Sequence, residues 1–430
     1  MKFNKTLLAS LIAVAIAPTT VLATDGYFSH GYGMKALGMA GVSAARTDDT
    51  FGGANNPAQG VFVGDRIDLG INWFSPKRST ERSGAAIPPL NGKVESGRDN
   101  FLIPEFGYIK MINPNMAAGI TVYGNGGMNT SYPQGNFQCP TPTGTFVPGN
   151  ALCGSGKLGV DLSQLIIAPT LAYKVAPNHS IGIAPLFGYQ RFKVEGMQLV
   201  AQFSGSPANV SNNDYDSSTG YGVRLGYLGK LADAISIGAA YSTKMKMGRF
   251  DKYKGLFAEN GGFDLPENYS IGVMIRATPA LSLGMDYKRI NYSGINSVGN
   301  PSSNQAPLGA SNGPGFGWKN IDIWKFGAQF AVNSALTVRA GYGRSDNPIT
   351  PADVTYNILA PGVVQDHYTL GLTYALNKNS EITVAYMHAA KNSVTGSSLF
   401  NGLIPVPNAG GRETIQMYQN SLGIAWAMKL

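Results

Sequence analysis

The sequence predicts an all-β chain, a transmembrane antiparallel β-barrel of about 14 strands with an N-terminal plug (hatch) inside the lumen. Three observations carry this. From Arg66 onward, apolar side chains alternate with Gly, Ser, Thr and Lys in runs of about ten residues or more, the length a tilted strand needs to cross a bilayer. Tight Asn/Asp/Pro connections alternate with long loops. The chain holds 55 Gly and 21 Tyr with 13% charged residues, a balance that suits a barrel better than a soluble surface.

The chain divides into a signal peptide at 1–23, a plug at 24–60 and a barrel with long extracellular loops at 61–430. Lys2 and Lys5 form the positive start of the leader, residues 7–17 its apolar core, and Val21-Leu22-Ala23 its cleavage site. The apolar run is too short to span a bilayer and is broken by Pro18. No Cys follows the cleavage site, which argues against a lipid anchor, and no later apolar run is long enough for a membrane helix. No linker or shift in composition divides the rest. The formal net charge is +8, but the basic residues are dispersed, so no nucleic-acid partner is expected.

Residues 25–58 are rich in Gly and Ala and close on Asn55-Asn56-Pro57-Ala58. Such a composition packs inside a lumen where bulky side chains would collide. Pro57 fixes its own φ, biases Asn56 towards an extended conformation and removes a backbone donor, so this segment cannot simply join a barrel ladder. Gly52-Gly53 beside it can absorb backbone rotation.

Strands are expected to begin near Arg66, Phe101, Asn115, Asp161, Asn178, Thr219, Asp233, Asp264, Ala280, Asn320, Ser334, Gln365, Ser380 and Thr414. The alternation is clearest where Leu281, Leu283, Met285 and Tyr287 share one face and Ser282, Gly284, Asp286 and Lys288 the other. Tyr368, Leu370, Leu372 and Tyr374 likewise alternate with Thr369, Gly371 and Thr373, with aromatics flanking the aliphatic stretch as in an outer-membrane girdle. A soluble β-sandwich also alternates, but its inner faces would be aliphatic and its strands shorter. Tight connections fall at Asn113-Pro114-Asn115, Pro177-Asn178, Ala232-Asp233, Thr278-Pro279, Val332-Asn333-Ser334 and Asn377-Lys378-Asn379. Long ones include 75–100, 124–160, 195–218 and 291–319. Short periplasmic turns and long outer loops put both ends of the barrel, and the plug, at the periplasmic mouth. Apolar residues alternate from Leu422 to Leu430, a pattern that resembles the terminal signal read by the barrel-assembly machinery, although that signal usually ends in an aromatic.

No enzyme constellation stands out. His30, His179, His367 and His388 fall on different predicted elements without metal-ligand spacing, so neither a metal nor a cofactor is expected. There is no Gly-x-Ser-x-Gly elbow. The run Gly31-Tyr32-Gly33…Gly38 lacks the preceding strand of a dinucleotide loop. Asn212-Asn213-Asp214-Tyr215-Asp216 lacks the Gly and Glu spacing of a calcium loop. Arg191, Lys193 and Lys319 are either interface charges or partners for an anionic head group inside the barrel. Arg191 falls on the parity of Ile181, Ile183 and Phe187, so it needs a bulge to turn inward.

The glycine-rich start running into Asp48-Asp49 and Asn56-Pro57-Ala58 resembles the FadL-type outer-membrane long-chain fatty-acid and hydrophobic-compound transporters. Asp264-Leu265-Pro266-Glu267 and Tyr386-Met387-His388 match further segments of that family, in order, over nearly the whole mature chain. The resemblance implies a monomeric bacterial outer-membrane channel rather than an enzyme. A long-chain fatty acid or other hydrophobic small molecule would be captured in the barrel and would leave sideways into outer-membrane lipid after the plug rearranges. It implies a gate at Asn56, Pro57 and Ala58, beside a lateral opening at a kink in the third strand, residues 116–127, where Gly124, Gly126 and Gly127 supply the backbone freedom. It also raises Arg191 and Lys319 over Lys193 as head-group ligands. The rivals are a general polar-solute porin, which would need an open charged lumen, and a barrel-borne surface enzyme, which would need a catalytic constellation at the rim. The apolar lining of such a site tolerates related ligands, so the sequence leaves the choice among fatty acid, alkane and aromatic hydrocarbon open.

Cys139 and Cys153 share one Pro/Gly/Thr-rich loop of an exported chain and are expected to form a disulfide. Closing that loop stabilises by about 3 kcal/mol in the chain-entropy picture. Mass spectrometry of the unreduced mature protein after alkylation should find neither thiol modified; two alkylated cysteines would refute the bond.

Overall fold

The computed structural model describes residues 25–141 and 143–430. The expected signal peptide lies outside these residues. Among them, eighteen strands are present: β1 (Arg66–Ser83), β2 (Gly92–Glu95), β3 (Phe101–Asn113), β4 (Met116–Tyr132), β5 (Phe137–Pro140), β6 (Phe146–Gly149), β7 (Leu158–Ala176), β8 (His179–Glu195), β9 (Asp216–Ala232), β10 (Ile235–Ser242), β11 (Lys246–Met247), β12 (Asn268–Arg276), β13 (Leu281–Ile290), β14 (Ile321–Ala331), β15 (Leu336–Ser345), β16 (Asp366–Ala375), β17 (Ser380–Ser397) and β18 (Arg412–Lys429). Fourteen of them pair antiparallel with their neighbours and close into a barrel when β18 meets β1 (Arg66 opposite Lys429) and β9 meets β10. Closure leaves no sheet edge in the bilayer, where an unpaired backbone group would find no water. The remaining strands β2, β5, β6 and β11 belong to the long connections.

Each expected strand start lies within about four residues of the observed one. The largest shift is at β12, expected from Asp264 and found from Asn268, because Leu265 first makes an isolated bridge to Met245. Two loops are shorter than expected. β1 runs on to Ser83 and β4 to Tyr132, since their polar outer halves still find ladder partners on β18 and β7, well past the apolar span. Outward positions carry the apolar load: Leu370 is 62% and Ile271 58% exposed, an arrangement that lipid tolerates and water does not. Among the described residues no helix is long and apolar enough to cross a membrane; the strands do so.

Residues 25–63 fill the lumen as irregular backbone with short helical turns at Met34–Leu37, Phe51–Gly53, Pro57–Gln59 and Gly60–Val63. Inward-facing wall glycines make the room. Gly182 on β8 lies opposite Gly226 on β9, and a side-chain carbon at either would collide with Asn56, Pro57 or Ala58. Gly327 and Gly341, paired across β14 and β15, do the same for Met39 and Ala40. Gly226→Leu should therefore unseat the plug while the barrel still forms. The expected result is faster proteolysis after Lys35 and Arg46 with unchanged heat-modifiable migration on a gel.

Candidate functional site

The barrel wall is open beside β4. Hydrogen bonding between β3 and β4 stops at the Glu105–Tyr123 pair, whereas β4 continues for nine residues whose only partner strand is β7, with Ser96 and Gly97 bonding Ser131 near its outer end. The ladder is irregular there: Gly124 and Gly126 pair with consecutive residues Leu165 and Gln164, and Asn125 bulges between them. The plug's first residues occupy the free edge. The Gly127 amide donates to the Tyr27 carbonyl at 3.1 Å and the Ser29 amide to the Asn125 carbonyl at 3.0 Å. Gly126 pairs with Phe28, and any side chain on Gly126 would strike the Tyr27 carbonyl.

Asn56-Pro57-Ala58 lies elsewhere. Asn56 is extended (φ −133°, ψ 106°), as a residue before proline prefers, and its Oδ1 caps the following turn by accepting the Ala58 amide at 3.0 Å. Its Nδ2 donates to the carbonyls of Ala44 at 2.7 Å and Tyr227 at 2.8 Å, and Ser180 Oγ donates to the Ala58 carbonyl at 2.7 Å. The triplet thus seats on β8 and β9, not beside the bulge in β4 as the resemblance implied. The link between them is indirect: Asn55 Nδ2 donates to the Tyr32 carbonyl, and the Tyr32 hydroxyl donates to Asn125.

Wall side chains meet the plug's buried backbone groups. Asp286 Oδ2 accepts the amides of Ser43 at 2.7 Å and Ala44 at 2.9 Å. Glu105 Oε2 accepts the Gly33 amide at 2.9 Å, Thr369 Oγ1 the Ala40 amide at 2.8 Å, and Arg224 Nη1 donates to the Gly53 carbonyl at 2.7 Å. Lys325 Nζ lies 3.2 Å from Asp25 Oδ2 and donates to the His30 carbonyl. Burial works to raise the Asp25 carboxyl, but Lys325 and His30 outweigh it and hold it well below the ordinary carboxylate range. Burial and Lys325 push the His30 imidazole down, towards the neutral form. Donor atoms of Asp25, His30 and His367 lie within 4.8 Å of one another. The Lys325 ammonium already neutralises that carboxylate, and a divalent cation there would sit against it.

Above the plug the lumen is apolar. Tyr27 packs at a tilt against Tyr292 (centroids 5.0 Å apart) and Trp318 (5.7 Å), and long-loop residues including Phe250, Phe257, Phe263, Val298, Phe316 and Leu359 join the same buried cluster. A cavity of about 30 Å³, room for a water or two, is lined by Tyr27, Arg78, Met128, Trp318, Leu359 and Met417. A second of similar size, below it, is polar and is bounded by Arg224, Asp286, Lys288 and Lys325.

Arg191 and Lys319 do not meet in either cavity. Arg191 keeps the outward parity of Phe187 and Tyr189, without the bulge that would turn it inward, and lies 4.2 Å from the Tyr215 ring. Lys319 is exposed next to buried Trp318. Cys139 and Cys153 face each other with sulfurs 2.09 Å apart. The anchoring side chains Glu105, Arg224, Asp286 and Lys325 were not recognised from sequence as functional. The available signal was a charge on the inward parity of a strand, as with Asp286 opposite Met285 and Tyr287.

Removing one member of the buried Asp25–Lys325 pair leaves an uncompensated charge, so Lys325→Met should weaken plug docking by about 3–5 kcal/mol. Hydrogen exchange over residues 25–46 should accelerate while the strands stay protected. Because the folded Asp25 value is depressed, its stabilising contribution is complete above the ordinary carboxylate value of about 4 and fades only as pH falls below it. Plug protection in the parent should accordingly drop in acid and not between about pH 5 and pH 8.

Residues 19–402 match the family described as outer membrane protein transport protein (OMPP1/FadL/TodX). No curated protein matches the chain in sequence. Among solved structures, the fold is similar to the Pseudomonas putida toluene transporter TodX (16% identity, 93% of this chain and 99% of that one, TM-score 0.68). It is similar too to a Pseudomonas aeruginosa FadL homologue (16%, 94% and 99%, TM-score 0.68). A third relative in fold is the Ralstonia pickettii toluene transporter TbuX (17%, 93% and 99%, TM-score 0.63). A plugged fourteen-stranded barrel with an apolar interior, matched over most of its length by one family, places this outer-membrane chain in the OMPP1/FadL/TodX family of outer-membrane transport proteins.

Proposed function

We propose that the chain is a passive, monomeric channel that takes up long-chain fatty acids or other hydrophobic compounds by capture in the barrel, plug rearrangement and lateral exit. The observation that carries this reading is the opening between β3 and β4, whose free edge is sealed by Tyr27, Phe28 and Ser29 directly beneath the apolar cluster. A hydrophobe entering among the long loops meets apolar side chains down to Tyr27. Displacing residues 27–29 from β4 connects that space to the membrane. No energy source enters the scheme; the gradient drives it. A general polar-solute porin would need a wide aqueous lumen, and the two cavities around the plug each hold only a water or two.

Asn56-Pro57-Ala58 acts in this scheme as the plug's periplasmic latch. Its contacts with Ser180, Gly182, Gly226 and Tyr227 hold the plug's second half, while Asn55 and Tyr32 lead from it to Asn125. Deleting residues 56–58 should leave heat-modifiable folding intact, because the barrel's hydrogen bonds run between strands. Uptake of labelled oleate and labelled toluene, in cells lacking their own transporter, should then fall sharply. Gly126→Val should act in the opposite sense: it evicts the Tyr27 carbonyl from β4 and raises basal uptake of whichever compound the parent carries. Parental uptake in both variants would refute the gate, and parental uptake of neither compound would refute the channel.

A further inference from the structure

The outer face of the barrel carries an apolar groove with a cation at its upper end. On β7, β8 and β9 the outward side chains stand in register. Ile167, Phe187 and Tyr221 form one row, Leu165, Tyr189 and Thr219 the next, and Ser163 and Ser217 flank Arg191 in the row above. β10 leaves the ladder after Ser242, and the chain returns as β11 with Lys246 opposite Tyr221. An open groove of about 710 Å³ lies along these elements, and its lining includes Leu165, Ile167, Phe187, Tyr189, Tyr221 and Lys246.

Arg191 is the next outward residue of β8 beyond Tyr189, on the side of the long loops. Its guanidinium lies over the Tyr215 ring, makes no ion pair among the described residues, and has a buried Nε without a partner. The acids nearby are engaged. Asp161 lies 2.6 Å from Arg98 and accepts the Tyr215 hydroxyl, and Glu195 lies 3.0 Å from both Lys157 and Lys193. Asp214 lies 3.5 Å from Lys193. Lys246 is exposed and has no acidic partner among the described residues; the nearby Asp264 lies 3.9 Å from Lys244 instead.

Outward aromatics mark the membrane interface, and Tyr189 and Tyr221, 44% and 67% exposed, put Arg191 at the level of the outer-leaflet head groups. A guanidinium without a counter-charge gains when an anion arrives, and its planar fork matches two phosphate oxygens. The Lys246 stem can lie along the groove and bring its ammonium to the same layer. A second outer groove, of about 560 Å³ on β12 to β15, is lined by Val273, Leu283, Met285, Phe326 and their neighbours without a charged residue. It can receive any acyl chain; the first groove alone joins an apolar trough to unpaired cations.

We propose that this face of β7, β8, β9 and β11 is a binding site for a phosphorylated lipid of the outer leaflet. Arg191 and Lys246 hold the phosphate, and an acyl chain lies in the groove. Leu165 is also the β7 partner of Gly124, so the bound chain flanks the opening beside β4 on its membrane side. The site faces the bilayer and is independent of what passes through the barrel.

The test is native mass spectrometry of the full-length protein in detergent micelles, titrated with diphosphoryl lipid A, fully dephosphorylated lipid A and inorganic phosphate. The phosphorylated lipid should bind about 10- to 100-fold more tightly than the dephosphorylated one, the range of a charge-assisted pair. Inorganic phosphate should not displace it, because it brings no acyl chain. Replacing Arg191 and Lys246 together by Met should bring the two lipids within about threefold of each other and leave the dephosphorylated lipid as in the parent. Arg191→Lys should keep part of the preference, because the charge stays and the fork is lost. Phe187→Ser should weaken both lipids alike, since only apolar contact is removed. Lys319→Met, an exposed cation elsewhere, should leave the preference unchanged. No preference in the parent, a preference that survives the double replacement, an equal loss for both lipids in it, or displacement by inorganic phosphate would each overturn the site. So would a loss of preference in Lys319→Met as large as in the double replacement. If the double variant does not fold, as judged by heat-modifiable migration, the parent's preference and its reduction in Arg191→Lys decide the matter. Failure of the uptake tests above would leave these outcomes unaffected, so the two readings fail separately.

Discussion

A stretch of irregular backbone buried inside a closed barrel must find partners for its N–H and C=O groups away from bulk water, and the rest of this structure follows from that requirement. Over most of the barrel the wall strands satisfy each other, so their backbones have little to offer the plug. Side chains do it instead. Asp286, Glu105 and Thr369 accept plug amides, and Arg224 and Lys325 donate to plug carbonyls. Wall backbone takes part at the Tyr227 carbonyl, which accepts from Asn56, and along the free edge of β4, where the plug's first residues pair with it directly. The seal over the opening and the incompleteness of the wall are therefore one feature seen from two sides.

Sterics impose the second condition. A plug of this size fits only where inward positions are empty, and the register places glycine opposite glycine at its closest approaches, Gly182 with Gly226 and Gly327 with Gly341. The two ends of the plug are held differently. Residues 27–29 are bound by a few ladder hydrogen bonds at a bulge, whereas Asn56-Pro57-Ala58 is bound by side-chain bonds and close packing on β8 and β9. Each end makes two hydrogen bonds to the wall, so the difference lies in the close packing of Asn56-Pro57-Ala58 against Gly182 and Gly226.

Two expectations were displaced, for different reasons. The family resemblance placed the triplet beside the opening. The plug doubles back, however, and sends its first residues to β4 and its last to β8 and β9. Arg191 was expected as a head-group ligand, although its alternation with Phe187 and Tyr189 pointed outward; no bulge intervenes and the parity holds.

What the sequence by itself determined is the set of properties that repeat along the chain. Period-two alternation, turn residues and the alternation of short and long connections state the barrel, the number of its strands and their starts to within a few residues, because each depends on neighbours in sequence. The bulge was legible in Gly124-Asn125-Gly126-Gly127 for the same reason. Only the tertiary structure decided which inward side chains face the plug, which carboxylates are already paired, and where the wall is left open. Those facts depend on segments hundreds of residues apart, such as Asp25 with Lys325 and Ala40 with Thr369, and no local pattern records the meeting of two distant residues inside a lumen.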